Sequence, residues 1–191
     1  MRQRTHAVFL RANIMQPPMA CPQDSRGSQS AVYNTTIPDT GVTRYYNWTI
    51  SEEVIAPDGV TAKGLLVNGQ YPGPIIEANW GDMVQITVTS NLTDSGTAVH
   101  WHGITQNGTP FYDGVPGVSQ CPIAPGQSLT YVWQANVYGT SWWHAHYGLQ
   151  YAGGIQGPIV IYGPRNVDYD IDLGPVQVQD WYHYYVSRIQ V

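Results

Sequence analysis

The sequence predicts an all-β fold, a Greek-key β-barrel or sandwich, and three observations carry that prediction. Short segments with period-two alternation, rich in β-branched and aromatic residues, recur along the chain; turn signals separate them; and no segment of useful length has a helical period. Among the 191 residues, 20 Gly and 14 Pro are spread as turn punctuation without a period, which excludes collagen-like and low-complexity chains. Hydrophobic residues at 42%, with 7 Trp and 14 Tyr, against only 11% charged residues exclude disorder and suffice for one ordinary core.

Residues 1–40 have no sustained periodicity and read as a leader or extended arm. Val42 to Ile55 is the first long strand, with Thr43, Tyr45, Asn47 and Thr49 alternating against Arg44, Tyr46, Trp48 and Ile50. Lys63 to Val67 and Ile75 to Ala78 follow, separated by the turn signals Asn68-Gly69 and Pro72-Gly73-Pro74. Met83 to Thr89 sets Val84, Ile86 and Val88 against polar neighbours, the pattern of a half-buried strand. Further strands are expected at Ala98 to Gly103, Leu129 to Ala135, Thr140 to Tyr147 and Gly157 to Tyr162. The compact unit should end near Gly163-Pro164, giving a domain over residues 41–163. Arg165 to Pro175, with Asp168, Asp170 and Asp172, reads as a linker, and Val176 to His183 opens another β segment. Residues 164–191 are therefore expected to be a linker and the truncated start of a second domain, since a lone strand is not a domain.

A net charge of −5, with no basic cluster beyond Arg2, Arg4 and Arg11, disfavours nucleic-acid binding through phosphates. No apolar run approaches the ~20 residues that would span a bilayer. A signal peptide is not evident, because Ala7-Val8-Phe9-Leu10 is broken at Arg11. Four Asn-x-Ser/Thr sequons, at Asn34, Asn47, Asn91 and Asn107, exceed chance and point towards a secreted glycoprotein. Cys21 and Cys121 could form at most one bridge.

The chemistry is concentrated in two pairs, His100-Trp101-His102 and His144-Ala145-His146. In a strand, residues i and i+2 project from one face, so each pair can aim two imidazoles at one metal ion or at two neighbouring ions. Two such strands side by side would make a four-imidazole surface. Imidazole donors suit Cu, Zn, Fe or Ni, with the divalent affinity order favouring Cu(II), and composition leaves the choice open. A cupin-type dioxygenase would want a Glu after its His-x-His, but Glu52, Glu53 and Glu77 all precede His100. A type-1 copper loop is absent, because after Cys121 the next His is His144 and no Met follows. No Gly-x-Ser-x-Gly elbow marks a serine hydrolase. Trp142, Trp143, Tyr147 and Tyr151 around the second pair could serve as core, as cluster wall or as interface.

Four segments together carry a resemblance: Asn79-Trp80-Gly81-Asp82, His100-Trp101-His102-Gly103, the run from Asp113 to Ile123 beginning Asp-Gly-Val-Pro-Gly, and the run from Gly139 to Tyr147 containing Trp142-Trp143-His144-Ala145-His146. Over about Val42 to His183 the chain resembles the first domain of the fungal laccases of the ascomycete type, which are multicopper oxidases. The resemblance implies a cupredoxin (plastocyanin-like) fold. It implies that His100 ligates the type-2 copper and that His102, His144 and His146 ligate the two type-3 coppers, half of the ligand set of a trinuclear site. It also implies proton delivery by Asp113, whose residue context allows equally a turn Asp before Gly114. In the complete family, phenols lose single electrons at the type-1 copper, and four electrons reduce O2 to two waters at the trinuclear site.

The remaining ligands and the type-1 site come from later cupredoxin domains in that family, and none of their motifs occurs here. The chain alone is therefore expected to be inactive towards phenols, with the other domains of a full-length oxidase as partners. The alternative is a stand-alone, non-catalytic copper-binding module or truncated gene product, dimerising through its His face with a second copy of itself. By the same resemblance Asp180-Trp181-Tyr182-His183 opens domain two, which assigns His183 to a structural strand rather than to copper. Cys121 resembles a cysteine that bridges to a later part of the full-length protein, and Cys21 one half of a short N-terminal bridge whose partner is not found around Gln29.

Overall fold

A computed structural model of the chain describes residues 5–9, 36–164 and 170–183. Ten strands follow in order: β1 (Thr5–Phe9), β2 (Thr43–Ile55), β3 (Ala62–Val67), β4 (Ile76–Asn79), β5 (Met83–Ser90), β6 (Val99–Trp101), β7 (Ser128–Gln134), β8 (Gly139–Ala145), β9 (Gln156–Tyr162) and β10 (Gln177–Trp181). Eight of them form two four-stranded sheets, ordered β3-β2-β5-β7 and β4-β9-β8-β6. The pairing mixes parallel and antiparallel ladders, with β2 parallel to β5 and β4 parallel to β9. Strand β2 serves two neighbours, running along β5 up to Ile50 and along β3 from Ile50 onward. The all-β expectation is what the chain adopts, and the central strands stand within one or two residues of their expected bounds.

Alternation explains why these segments become strands. Val84, Ile86 and Val88 of β5, Trp48 and Ile50 of β2, and Tyr131 and Trp133 of β7 point inwards from one sheet. Val99 and Trp101 of β6, Trp143 and Ala145 of β8, and Ile159 and Ile161 of β9 point inwards from the other. Indoles join the two sets: Trp48 lies 4.3 Å from Trp143 and 5.8 Å from Trp101, which in turn lies 5.8 Å from Trp133. Aromatic pairs at such separations add to the burial of their large apolar areas. Trp143 fits because two glycines make room for it. A Cβ on Gly73 or Gly157 would approach its ring to 2.5 or 2.6 Å, and its Nε1–H donates to the Pro74 carbonyl at 2.9 Å.

One buried carboxylate braces the entry to β5. Asp82 has no exposed surface and accepts hydrogen bonds from Thr40 Oγ1 at 2.6 Å, Arg44 Nε at 2.7 Å and the Asn79 amide at 3.0 Å. Its own carbonyl accepts from the Ala135 amide at 2.8 Å, just beyond β7.

Two differences from the sequence expectation have identifiable causes. Strand β6 ends at Trp101, and its ladder closes one residue later at the His102 amide, because the chain turns at Gly103, whose φ is +84°. Within the expected arm, Thr5–Phe9 forms a strand paired antiparallel with β10, a five-residue pairing too short to announce itself by alternation. Strand β10 is anchored by Trp181, buried against Tyr71 with ring centroids 4.7 Å apart. His183 beyond it lies 2.6 Å from Asp58 in the turn between β2 and β3, and this contact holds the Asp58 carboxyl below its ordinary value. Cys121 is exposed and free, while Cys21, Asn34 and Asp168 lie outside the described residues.

Candidate metal centre

Strands β6 and β8 run antiparallel with His100 directly opposite His144, Trp101 opposite Trp143 and Val99 opposite Ala145. The pairing continues past both strand ends, since the His102 amide donates to the Trp142 carbonyl at 3.1 Å and the His146 amide to the Ala98 carbonyl at 2.9 Å. The outer face is therefore a grid of three facing pairs: Ala98 with His146, His100 with His144, and His102 with Trp142. On the inner face Val99, Trp101, Trp143 and Ala145 are fully buried, so the core determines which way the histidines point.

The four imidazoles form a rhombus. Its short diagonal, His100 to His144, is 5.3 Å between ring centroids. His102 lies 5.7 Å from each of those two, whereas His146 lies 5.5 Å from His100 and 6.0 Å from His144. In one half of the rhombus the rings converge further: His100, His102 and His144 each offer a nitrogen within 4.8 Å of the others. His146 stands on the same face outside that trio.

Backbone carbonyls fix two of the tautomers. His100 Nδ1 lies 2.7 Å from the Asp113 carbonyl, and His144 Nδ1 lies 3.0 Å from the Ala145 carbonyl. A carbonyl only accepts, so each Nδ1 carries the proton and each Nε2 keeps its lone pair free. Burial, together with the neighbouring His100, His102 and His146, lowers the His144 pKa to about 4, against the opposing pull of the Ala145 carbonyl. His144 is thus neutral near pH 7, the form that ligates a metal.

The loop that brings Asp113 to His100 is clipped to β6 on both sides. Trp101 Nε1–H donates to the Tyr112 carbonyl at 3.0 Å, at the end of the 3-10 turn Pro110–Tyr112. Gly114, with φ +84°, lies so close to β6 that a Cβ there would be 1.8 Å from the Val99 carbonyl oxygen. Between these clips the Asp113 carbonyl meets His100, and its carboxylate lies 3.3 Å from the same Nδ1.

A second 3-10 turn, Gln150–Gly153, is pinned by buried Gln150, which accepts from Thr97 Oγ1 and donates to the Gly96 carbonyl, both at 2.8 Å. This turn presents Tyr151 edge-on to His144 at 5.9 Å. All four histidines expected from the sequence are thus on one face, and Asp113 is beside one of them. Sequence reasoning missed the two carbonyls, which have no residue signature, and left the role of Trp142 open. Asp113-Gly114 signals a turn, but only the fold reveals what that turn touches.

The family model for multicopper oxidases matches residues 49–166, from within β2 to just past β9. Over 157 residues the chain is 54% identical to Laccase-2 of Botryotinia fuckeliana, covering 82% of this chain and 27% of that protein. It is 51% identical over 164 residues to the dihydrogeodin oxidase of Aspergillus terreus, covering 85% of this chain and 27% of that one. The crystal structure of the laccase from Botrytis aclada superposes with a TM-score of 0.81 at 50% identity, over 85% of this chain and 30% of the other. The chain thus spans about a quarter of the length of the relatives it matches. Since the family match falls on the very strands that face the four imidazoles outward, the chain belongs to the multicopper oxidase family.

Proposed function

We propose that this chain contributes the first cupredoxin domain of a laccase-type oxidase and supplies half of the ligands of its trinuclear copper site. In this reading residues 1–40 are an N-terminal arm, 41–163 the cupredoxin domain, and 164–191 a linker and the opening of a second domain. The observation that carries it is the convergence of His100, His102 and His144 to within 4.8 Å on a single sheet face. An all-imidazole donor set with free Nε2 atoms and a neutral His144 fits copper. Bound copper would supply single-electron transfer and the reduction of dioxygen.

The protein's own part is to hold and orient. His100 is assigned to the type-2 position, and His102, His144 and His146 to the type-3 positions. The Asp113 and Ala145 carbonyls keep two imidazoles in the ligating tautomer. Asp113, with its carboxylate partly exposed beside His100, is assigned to carry protons between solvent and the site. Phenol oxidation, the electron-entry site and the remaining ligands belong to the other cupredoxin domains of the whole protein. Secretion and glycosylation complete the reading, with Asn47, Asn91 and Asn107 all exposed.

Native mass spectrometry of the full 191-residue chain with added copper tests this reading. Copper should bind to the unaltered chain and be lost when His100, His102 or His144 is replaced by Ala. No phenol should be oxidised. Copper uptake indifferent to those substitutions, or phenol turnover by the chain alone, would overturn it.

A further inference from the structure

The grid on the outer face of β6 and β8 has six positions, four of which are histidines. The other two are Ala98, facing His146, and Trp142, facing His102. The two ends behave differently. At the Trp142 end three imidazoles converge with nitrogens within 4.8 Å, and at the Ala98 end His146 stays outside the trio. The backbone ladder is the same at both ends, with one amide-to-carbonyl hydrogen bond closing each. The corners differ too: Trp142 lies half-buried against the imidazoles, whereas Ala98 is itself fully buried.

The Trp142 indole stacks on one ring and lies tilted beside a second. It stacks on His144 with centroids 4.0 Å apart and planes 26° apart, and it lies 5.5 Å from His102 at 36°. Tyr151 meets His144 edge-on, at 69°. An imidazole on a strand otherwise swings about its two side-chain torsions, and each ring left free to swing costs conformational entropy when a metal fixes it. A flat partner stacked on His144 removes part of that freedom before binding. The same indole bars His102 from rotating into the space across the strand pair.

We propose that Trp142 is a positioning residue for the metal-binding face: the indole, stacked on His144 and lying beside His102, holds these two imidazoles, both assigned to the type-3 positions, at a fixed separation. The proposal rests on the copper reading of this face for its purpose, and its geometry can be examined without metal. Ala98, too short to touch His146 in the same way, leaves that histidine to be placed by its partners.

The test compares the full chain with Trp142→Phe and Trp142→Leu. In the metal-free state, nuclear Overhauser contacts between the His102 and His144 rings, and an upfield shift of the His144 ring protons under the indole, are expected for the unaltered chain. Leu should abolish the contacts and weaken Cu(II) binding about tenfold or more, while Phe, which keeps a flat ring, should restore most of both. A Leu variant that keeps the ring contacts, or that binds Cu(II) as tightly as the unaltered chain, overturns the proposal. Should Leu fail to fold, the unaltered chain decides: no upfield shift and no Trp142–His144 contacts overturn it. If the contacts are present but the unaltered chain takes up no copper, the positioning stands and the copper reading of the face fails.

Discussion

Gly114 has a φ of +84° and faces the Val99 carbonyl at a distance that leaves no volume for a methyl group. Replacing it with Ala should cost about 2 kcal/mol or more, because strain at positive φ adds to a collision with backbone that cannot yield. Chemical denaturation would read the loss. The same substitution should push the Asp113 carbonyl away from His100, releasing the proton from Nδ1 to either nitrogen, which 15N shifts of the ring report. Asp113→Asn makes the contrast: it removes the carboxylate and keeps the carbonyl, so the His100 tautomer should not change. At this scale the sequence was informative where side chains do the chemistry and silent where the backbone does. The histidines stood out by their spacing, whereas any residue type could have offered the carbonyls on which two of them depend.

Among the elements, the start of β5 depends on a carboxylate whose charge is satisfied indoors. Burial alone would raise the Asp82 pKa, but Thr40, the Asn79 amide and Arg44 together outweigh it and hold the carboxyl below its ordinary value. The stabilisation is therefore present above the ordinary carboxylate range and is lost as pH falls below it, where the unfolded chain already binds the proton. Asp82→Asn should lower stability by about 2 kcal/mol at neutral pH and flatten the acid limb of the stability profile. Strand β10 invites a different measurement. Trp181→Ala removes its buried anchor beside Tyr71, so amides of β10 should exchange with solvent faster while those of the β5–β7 ladder keep their protection. Elements with inward alternation, such as Met83–Ser90, were legible in the sequence almost to the residue. The end of β6 was less so, because alternation does not reveal that the chain turns at Gly103. β1 was invisible, since its pairing with β10 depends on a partner more than 160 residues away.

For the whole molecule, two sheets share one core and present an outward face that gathers three imidazoles closely and a fourth nearby. A ligand that binds only the folded chain stabilises it by mass action, about 2.7 kcal/mol at a hundredfold excess over its dissociation constant. Copper should accordingly raise the unfolding temperature of the chain, and a chelator should reverse the gain. The resemblance identified the fold class because the family's sequence signature lies in contiguous motifs. The rhombus geometry was not legible, since it follows from register and from how far the rings lean.

Trp143 gives the molecule a consequence of another kind. It stands on the opposite side of β8 from Trp142 and His144, wedged between Gly73 and Gly157. The strand is thus a thin partition with a filled room behind it and an open shelf in front. A methyl group added at Gly157 would press on the indole from the room side, and β8 would have to tilt to accommodate it, carrying the shelf along. The spacing of the imidazoles could then be adjusted through the partition, by a change that touches neither a histidine nor solvent.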